Sequence, residues 1–109
     1  MLLPLLFVLF ATALRADPPS QITVDYNKAN GNLFITFVHQ VQDPVDHFIY
    51  DARILLNKKE IIHQSITSQD TKEGGTLVYK VIDVKAGNKF NVILACNKYG
   101  KKNQEYTIK

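Results

Sequence analysis

The side chains in this sequence that could bind a metal ion or take part in redox chemistry are few. They are imidazole, thiol, carboxylate and phenol groups, in the chain order His39, Asp43, Asp46, His47, His63, Cys96 and Tyr99. Imidazole and thiolate together suit iron, copper or zinc, because both are good donors to borderline and soft cations. The sequence therefore allows a metal site with nitrogen and sulfur ligands, provided that the fold brings these residues together.

Other chemistries have less support. The sequence contains no Gly-rich phosphate loop after a strand, no Gly-x-Ser-x-Gly and no Cys-x-x-Cys. A blue-copper site of the cupredoxin kind needs a second His shortly after its Cys and usually an axial Met. No His follows Cys96, and Met1 is the single Met, so the sequence argues against that kind of site.

The N-terminal segment is typical of a secretory signal. Residues 1–14 carry no charged side chain, small residues follow, and a polar, Pro-rich stretch begins at Asp17. The apolar stretch is shorter than the roughly 20 residues that span a bilayer. We predict a signal peptide over 1–16, with cleavage after Ala16 or alternatively after Ala13. The product would be one secreted domain over 17–109, periplasmic or extracellular, with no membrane anchor.

Composition limits the partners and the redox chemistry. Without Arg15, which lies in the leader, 12 basic residues face 10 acidic ones, an excess too small to predict a nucleic-acid partner. A hydrophobic fraction of 46% predicts a folded domain rather than a disordered chain. Cys96 is the single cysteine, so no disulfide forms within the chain.

Past Asp17, short stretches that alternate apolar and polar residues are separated by turn signals such as Asn30-Gly31. We predict seven strands, at 21–26, 32–41, 47–56, 60–67, 76–84, 90–97 and 104–108. This pattern favours an all-β fold, an immunoglobulin-like antiparallel β-sandwich, although the absence of Trp and of a Cys pair argues against an antibody-type domain. In the third strand the even positions, including Tyr50, are predicted to face the core. The fifth strand is expected to be central and the seventh to lie at an edge.

Two segments resemble desulfoferrodoxin and superoxide-reductase-like domains. The first is Asp43-Pro44-Val45-Asp46-His47-Phe48-Ile49, followed by a strand that ends in Leu56-Asn57-Lys58-Lys59-Glu60-Ile61. The second is Lys85-Ala86-Gly87-Asn88-Lys89-Phe90-Asn91-Val92, leading into Cys96-Asn97-Lys98-Tyr99-Gly100. In that family a His-Pro begins a loop, a second His opens the next strand, and a Cys-Asn-x-His-Gly turn closes the sixth. The resemblance covers roughly residues 33–100. The sulfur-carrier component of SoxZ type shares this general sandwich and stays an alternative.

The resemblance implies a particular metal centre. The family's enzymes bind one iron through four imidazoles and one thiolate, with an open position at which superoxide is reduced. By this resemblance His47 corresponds to the strand-opening His and Cys96 to the thiolate, whereas the other three ligands have no counterpart. His39 could substitute for one imidazole, because alternation places it on the face that carries Phe37, and Asp43 could add a carboxylate.

With three of five ligands missing, we expect a non-catalytic protein: a secreted sandwich with a degraded iron site and no bound cofactor. It would act as a binding or assembly module for another protein or a second copy, through exposed edge strands. The alternatives are a redox protein that binds iron or another transition metal through Cys96 and His47, and a SoxZ-like sulfur-carrier partner. We further expect the two facing sheets to bring His47 and Cys96 together at one rim.

Overall fold

The computed structural model describes residues 18–109, which form seven strands in two antiparallel sheets. The strands are β1 (Gln21–Asn27), β2 (Asn32–Val38), β3 (Ile49–Leu56), β4 (Lys59–Ser65), β5 (Gly74–Lys80), β6 (Lys89–Cys96) and β7 (Lys101–Thr107). Within this described part, no helix is long and apolar enough to cross a membrane. The predicted all-β sandwich is confirmed, and the predicted signal peptide lies outside the described residues.

The core lies between a three-stranded sheet, in the order β1-β2-β5, and a four-stranded sheet, in the order β4-β3-β6-β7. The largest fully buried side chains come from the central strands β2, β3 and β6: Leu33, Ile35, Ile49, Ile54, Phe90, Val92 and Leu94. Alternation explains this, because every second side chain of a strand points to the same face. Each such side chain stabilises the fold by about 1.5–3 kcal/mol relative to exposure.

The fifth strand is at an edge, so its predicted central position is wrong. Its outward side chain Val78 is 52% exposed and is the register partner of Phe34, which is 41% exposed. These two residues make an apolar pair on the outer face of the sheet, and this pair is the reason why β5 is apolar on both faces. The seventh strand is also an edge strand, as predicted. Strand addition at these edges stays a prediction.

A β-bulge at the start of β3 makes the predicted core-facing side wrong for that end of the strand. Ile49 pairs with Cys96 and Asp51 with Ala95, so Tyr50 is an extra residue on β3. Tyr50 is consequently 45% exposed, whereas Ile49 is fully buried, which reverses the prediction for this end of the strand. Beyond the bulge the predicted alternation holds, with Ala52 facing the core.

The end of the sandwich beside this bulge brings three chain segments together. β3 and β6 are neighbours in one sheet, so the expectation that facing sheets bring their ends together is wrong. The facing three-stranded sheet contributes to this end of the sandwich the segment that follows β2 and begins at His39. The third strand also starts at Ile49 rather than at His47, because a turn precedes it in which the backbone N–H of His47 donates to the Asp43 carbonyl at 2.9 Å.

Candidate metal centre

Three potential metal ligands converge at this end of the sandwich. His39, His47 and Cys96 each offer one ligand atom, and these atoms all lie within 4.8 Å of one another. The two imidazole rings meet edge to face, with centroids 4.9 Å apart and an interplanar angle of 89°. His39 and Cys96 are buried, while His47 is half-buried. Two members of the group are therefore buried, and His47 is partly exposed although its Nε2 is buried.

His39 is held in place by its backbone and its ring. Its N–H donates to the Glu73 carbonyl at 2.8 Å, which extends the pairing of β2 with the segment before β5. Its Nδ1 lies 2.8 Å from Oε1 of Gln69, a side chain that is itself 6% exposed. Nothing in the sequence marks Gln69 as a candidate. It lies in a polar loop after β4, and no periodic pattern distinguishes a buried glutamine there from an exposed one.

The segment that carries His47 is tied to the turn after β6. The Asn97 side chain accepts a hydrogen bond from the Phe48 N–H at 2.9 Å and donates to the Asp46 carbonyl at 3.0 Å. The Asn97 N–H also donates to the Phe48 carbonyl at 3.0 Å. Because these bonds bracket His47 on both sides, they hold its backbone beside Cys96.

The Cys96 sulfur receives one hydrogen bond from the backbone, since the Lys98 N–H donates to Sγ at 3.3 Å. The Cys96 N–H in turn donates to the Gly100 carbonyl at 2.9 Å, which closes the turn. Gly100 has a φ of +82°, and a Cβ there would lie 2.9 Å from Pro18. A backbone N–H directed at sulfur stabilises a thiolate, the form of cysteine that binds metals.

The other candidate residues lie elsewhere. The exposed carboxylate of Asp43 accepts a hydrogen bond from the Val45 N–H at 3.0 Å, so it serves the turn, outside the group of His39, His47 and Cys96. Asp46 is exposed and pairs with Lys98 at 3.4 Å. Tyr99, which replaces the last His of the Cys-Asn-x-His-Gly turn in the sequence resemblance, is 68% exposed.

His63 points away from the site, on the outer face of the four-stranded sheet. Its Nε2 lies 2.6 Å from Oδ1 of Asp51, and Arg53 contacts the other carboxylate oxygen at 3.1 Å. Burial raises the pKa of Asp51, but the hydrogen bonds from His63 and Arg53 outweigh it and hold that pKa below its usual value. The third imidazole of the chain thus belongs to a surface ion-pair network.

Two imidazoles and one thiolate are a chemically suitable set for a transition-metal ion. Such a set occurs at zinc sites that keep a fourth position open and at trigonal copper sites. Donors that the fold already holds close together also reduce the cost of assembling a site. That these residues bind a metal stays a prediction. The geometry limits the predicted ligands to His39, His47 and Cys96.

Comparison with known proteins gives a fold but no family. No family model and no curated protein matches the chain. Similar solved structures include three of superoxide reductase (neelaredoxin) from Ignicoccus hospitalis, two of them single-substitution variants. Their TM-scores are 0.58, 0.52 and 0.51, and in that order their sequence identities to this chain are 10%, 11% and 15%. The alignments cover 84%, 81% and 84% of this chain, and 81%, 77% and 79% of the neighbouring chains. The chain therefore has a superoxide-reductase-like fold.

Proposed function

We propose that this protein binds one transition-metal ion through His39, His47 and Cys96. The observation that carries the proposal is the convergence of their three ligand atoms within 4.8 Å, at strand ends that come from both sheets. Iron is the ion that the sequence resemblance implies, while the donor set would equally suit zinc or copper. Of the hypotheses from the sequence, the geometry thus favours the metal-binding one, with His39 as the replacement ligand.

The proposed site is a reduced version of the iron centre that the resemblance implies. The chain contains three histidines, and the imidazole of His63 is engaged by Asp51 on the outer face of the sheet. Two imidazoles and one thiolate are then available, so four imidazoles cannot meet in one chain. For this reason we propose a metal-binding protein with a degraded centre and do not propose superoxide reduction.

The residues around such a site would orient its ligands and stabilise the thiolate. A bound transition-metal ion would supply a Lewis acid or a one-electron redox centre. Gln69 would orient the His39 ring, Asn97 would hold the His47 backbone, and the Lys98 N–H would stabilise the thiolate of Cys96. Burial of His39 and Cys96 would limit the access of water and exogenous ligands to the site.

Anaerobic titration of the purified, reduced protein with Fe²⁺, Zn²⁺ and Co²⁺ tests the proposal. We expect one equivalent of metal per chain by elemental analysis. With Co²⁺ we expect a near-ultraviolet charge-transfer band from a thiolate ligand. Cys96→Ser should abolish this band and lower the affinity, because a hydroxyl is a poor ligand for these ions.

The fold provides the control for this titration. Cys96 is buried, so the circular dichroism spectrum of Cys96→Ser must match that of the parent before its affinity is interpreted. A folded parent protein that takes up none of the three ions would refute the proposal. Uptake with no thiolate band would refute the ligand role of Cys96.

We also propose that the chain is exported and loses residues 1–16. The support is the uncharged, apolar composition of residues 1–14 and the small residues before Asp17. When the full chain is expressed in a secreting host, we expect a product that begins at Asp17 or, with the alternative cleavage, at Leu14. N-terminal sequencing decides between these sites, and a product that retains Met1 would contradict export with cleavage.

A further inference from the structure

We propose that Gln69 is a positioning residue that presets the tautomer of His39 before any metal arrives, so that Nε2 is the nitrogen offered to the metal. The inference rests on the metal centre proposed above and assigns a role to a residue outside the ligand set. Gln69 carries four side-chain hydrogen bonds at a position that is 6% exposed. A side chain that is so fully engaged has one orientation available.

The orientation of the Gln69 carboxamide follows from its partners. Its Nε2 lies 2.8 Å from the His39 carbonyl oxygen and 3.0 Å from the Thr71 carbonyl oxygen. Carbonyl oxygens only accept hydrogen bonds, so the amide nitrogen must face them. The amide oxygen therefore faces the other way, where it accepts from the Ile49 N–H at 3.3 Å and lies 2.8 Å from Nδ1 of His39.

This orientation determines the tautomer of His39. An amide oxygen is an acceptor only, so Nδ1 of His39 must carry the proton in their hydrogen bond. In the neutral ring the lone pair then resides on Nε2, which is the form that binds a metal through Nε2. The two tautomers interconvert freely in an exposed histidine, whereas Gln69 selects one of them in the folded protein.

Gln69 also connects the segments that build the site. Besides its side-chain bonds, its N–H donates to the Pro44 carbonyl at 3.0 Å. One residue thus links the segment after β2, the turn before β3, the first residue of β3 and the loop before β5. The ring plane of His39 and the position of its backbone are set by the same side chain, because His39 both donates to Gln69 and accepts from it.

Nuclear magnetic resonance of the metal-free protein tests the tautomer directly. Long-range ¹H–¹⁵N correlations distinguish a protonated from an unprotonated imidazole nitrogen. In the parent protein at neutral pH we expect protonated Nδ1 and unprotonated Nε2 for His39. This measurement needs no variant, so it stays informative even if substitutions at position 69 impair folding. Protonated Nε2 with unprotonated Nδ1 would overturn the inference.

Two substitutions separate the tautomer role from a structural one. Gln69→Met and Gln69→Glu both remove the amide N–H groups that serve the His39 and Thr71 carbonyls, but Gln69→Glu keeps an acceptor for Nδ1. We expect Gln69→Met to weaken Co²⁺ binding by about 10- to 100-fold, the usual cost of losing an outer-shell partner. Gln69→Glu should weaken binding less than Gln69→Met does and keep the parent tautomer, because its carboxylate still accepts from Nδ1.

Gln64→Met is the matched control. The Gln64 side chain accepts from the Tyr79 hydroxyl at 2.6 Å and lies on β4, which carries none of the three ligands, so metal binding should be unchanged. Equal weakening by Gln69→Met and Gln69→Glu would overturn the tautomer role. Failure of the proposed metal site gives a different result, in which the parent protein shows the expected tautomer but binds no metal. That result would refute both the metal site and the positioning role of Gln69.

Discussion

Gly74→Ala is expected to lower the free energy of unfolding by about 3–5 kcal/mol, enough to unfold a marginally stable domain of this size. Gly74 begins β5 with a φ of +153°, a conformation that side-chain-bearing residues rarely adopt. A Cβ at this position would lie 2.0 Å from the carbonyl oxygen of Phe37 on β2. The obstacle is backbone, so no side-chain rotation can relieve it, and the two strands must separate locally.

Gly87→Ala is the control that isolates the clash. Gly87 also has a positive φ, +90°, but a Cβ there would meet no atom within 4 Å. Only backbone strain remains, at about 1–2 kcal/mol. Urea denaturation of both variants measures the difference. Equal losses would show that conformational strain rather than contact with Phe37 governs position 74.

The Gly74→Ala substitution is also expected to disturb the candidate metal centre. The residue before Gly74 supplies the carbonyl that holds the His39 N–H at 2.8 Å, and the Gly74 carbonyl accepts from Thr71 at 3.0 Å. Thr71 is in turn one of the partners of Gln69. A displaced start of β5 would therefore move the backbone to which His39 and Gln69 are attached, so any folded Gly74→Ala protein should also bind metal more weakly.

His39→Ala is expected to lower the affinity for Co²⁺ by at least about 100-fold. Removing a residue that only hydrogen-bonds to a metal ligand already lowers metal affinity by about 10- to 100-fold, and His39 is itself a proposed ligand. His39 supplies one of three donors, and the remaining pair, His47 and Cys96, cannot satisfy a tetrahedral ion without two outside ligands. Competition against a chelator of known affinity measures the change in the dissociation constant.

His63→Ala provides the matched comparison for this experiment. It removes an imidazole of the same chemistry from the outer face of the sheet, where its partner is Asp51. Metal affinity should stay within twofold, a range that also accommodates a slightly altered surface charge. Because His39 is buried, circular dichroism must show that His39→Ala remains folded. Similar affinities for the two variants would mean that the metal binds elsewhere.

The sequence alone determined the number of strands and most of the core. Alternation depends only on local geometry, so the buried positions of β2, the core-facing side of β6 with Cys96, and the tight turn at Gly31, with a φ of +79°, were all predictable. The same local reasoning placed His39 on the core face. These features follow from neighbours in the chain and need no knowledge of the partner strands.

Only the tertiary structure decided how the strands are ordered and what surrounds the candidate site. The edge position of β5 and the bulge at Tyr50 depend on which strand pairs with which, and pairing leaves no mark on the pattern of a single strand. Gln69 and Asn97 acquire their roles through hydrogen bonds to residues 30 and 49 positions away. Such contacts arise when loops from both sheets close over one end of the sandwich, and burial there gives an ordinary polar side chain a single set of partners.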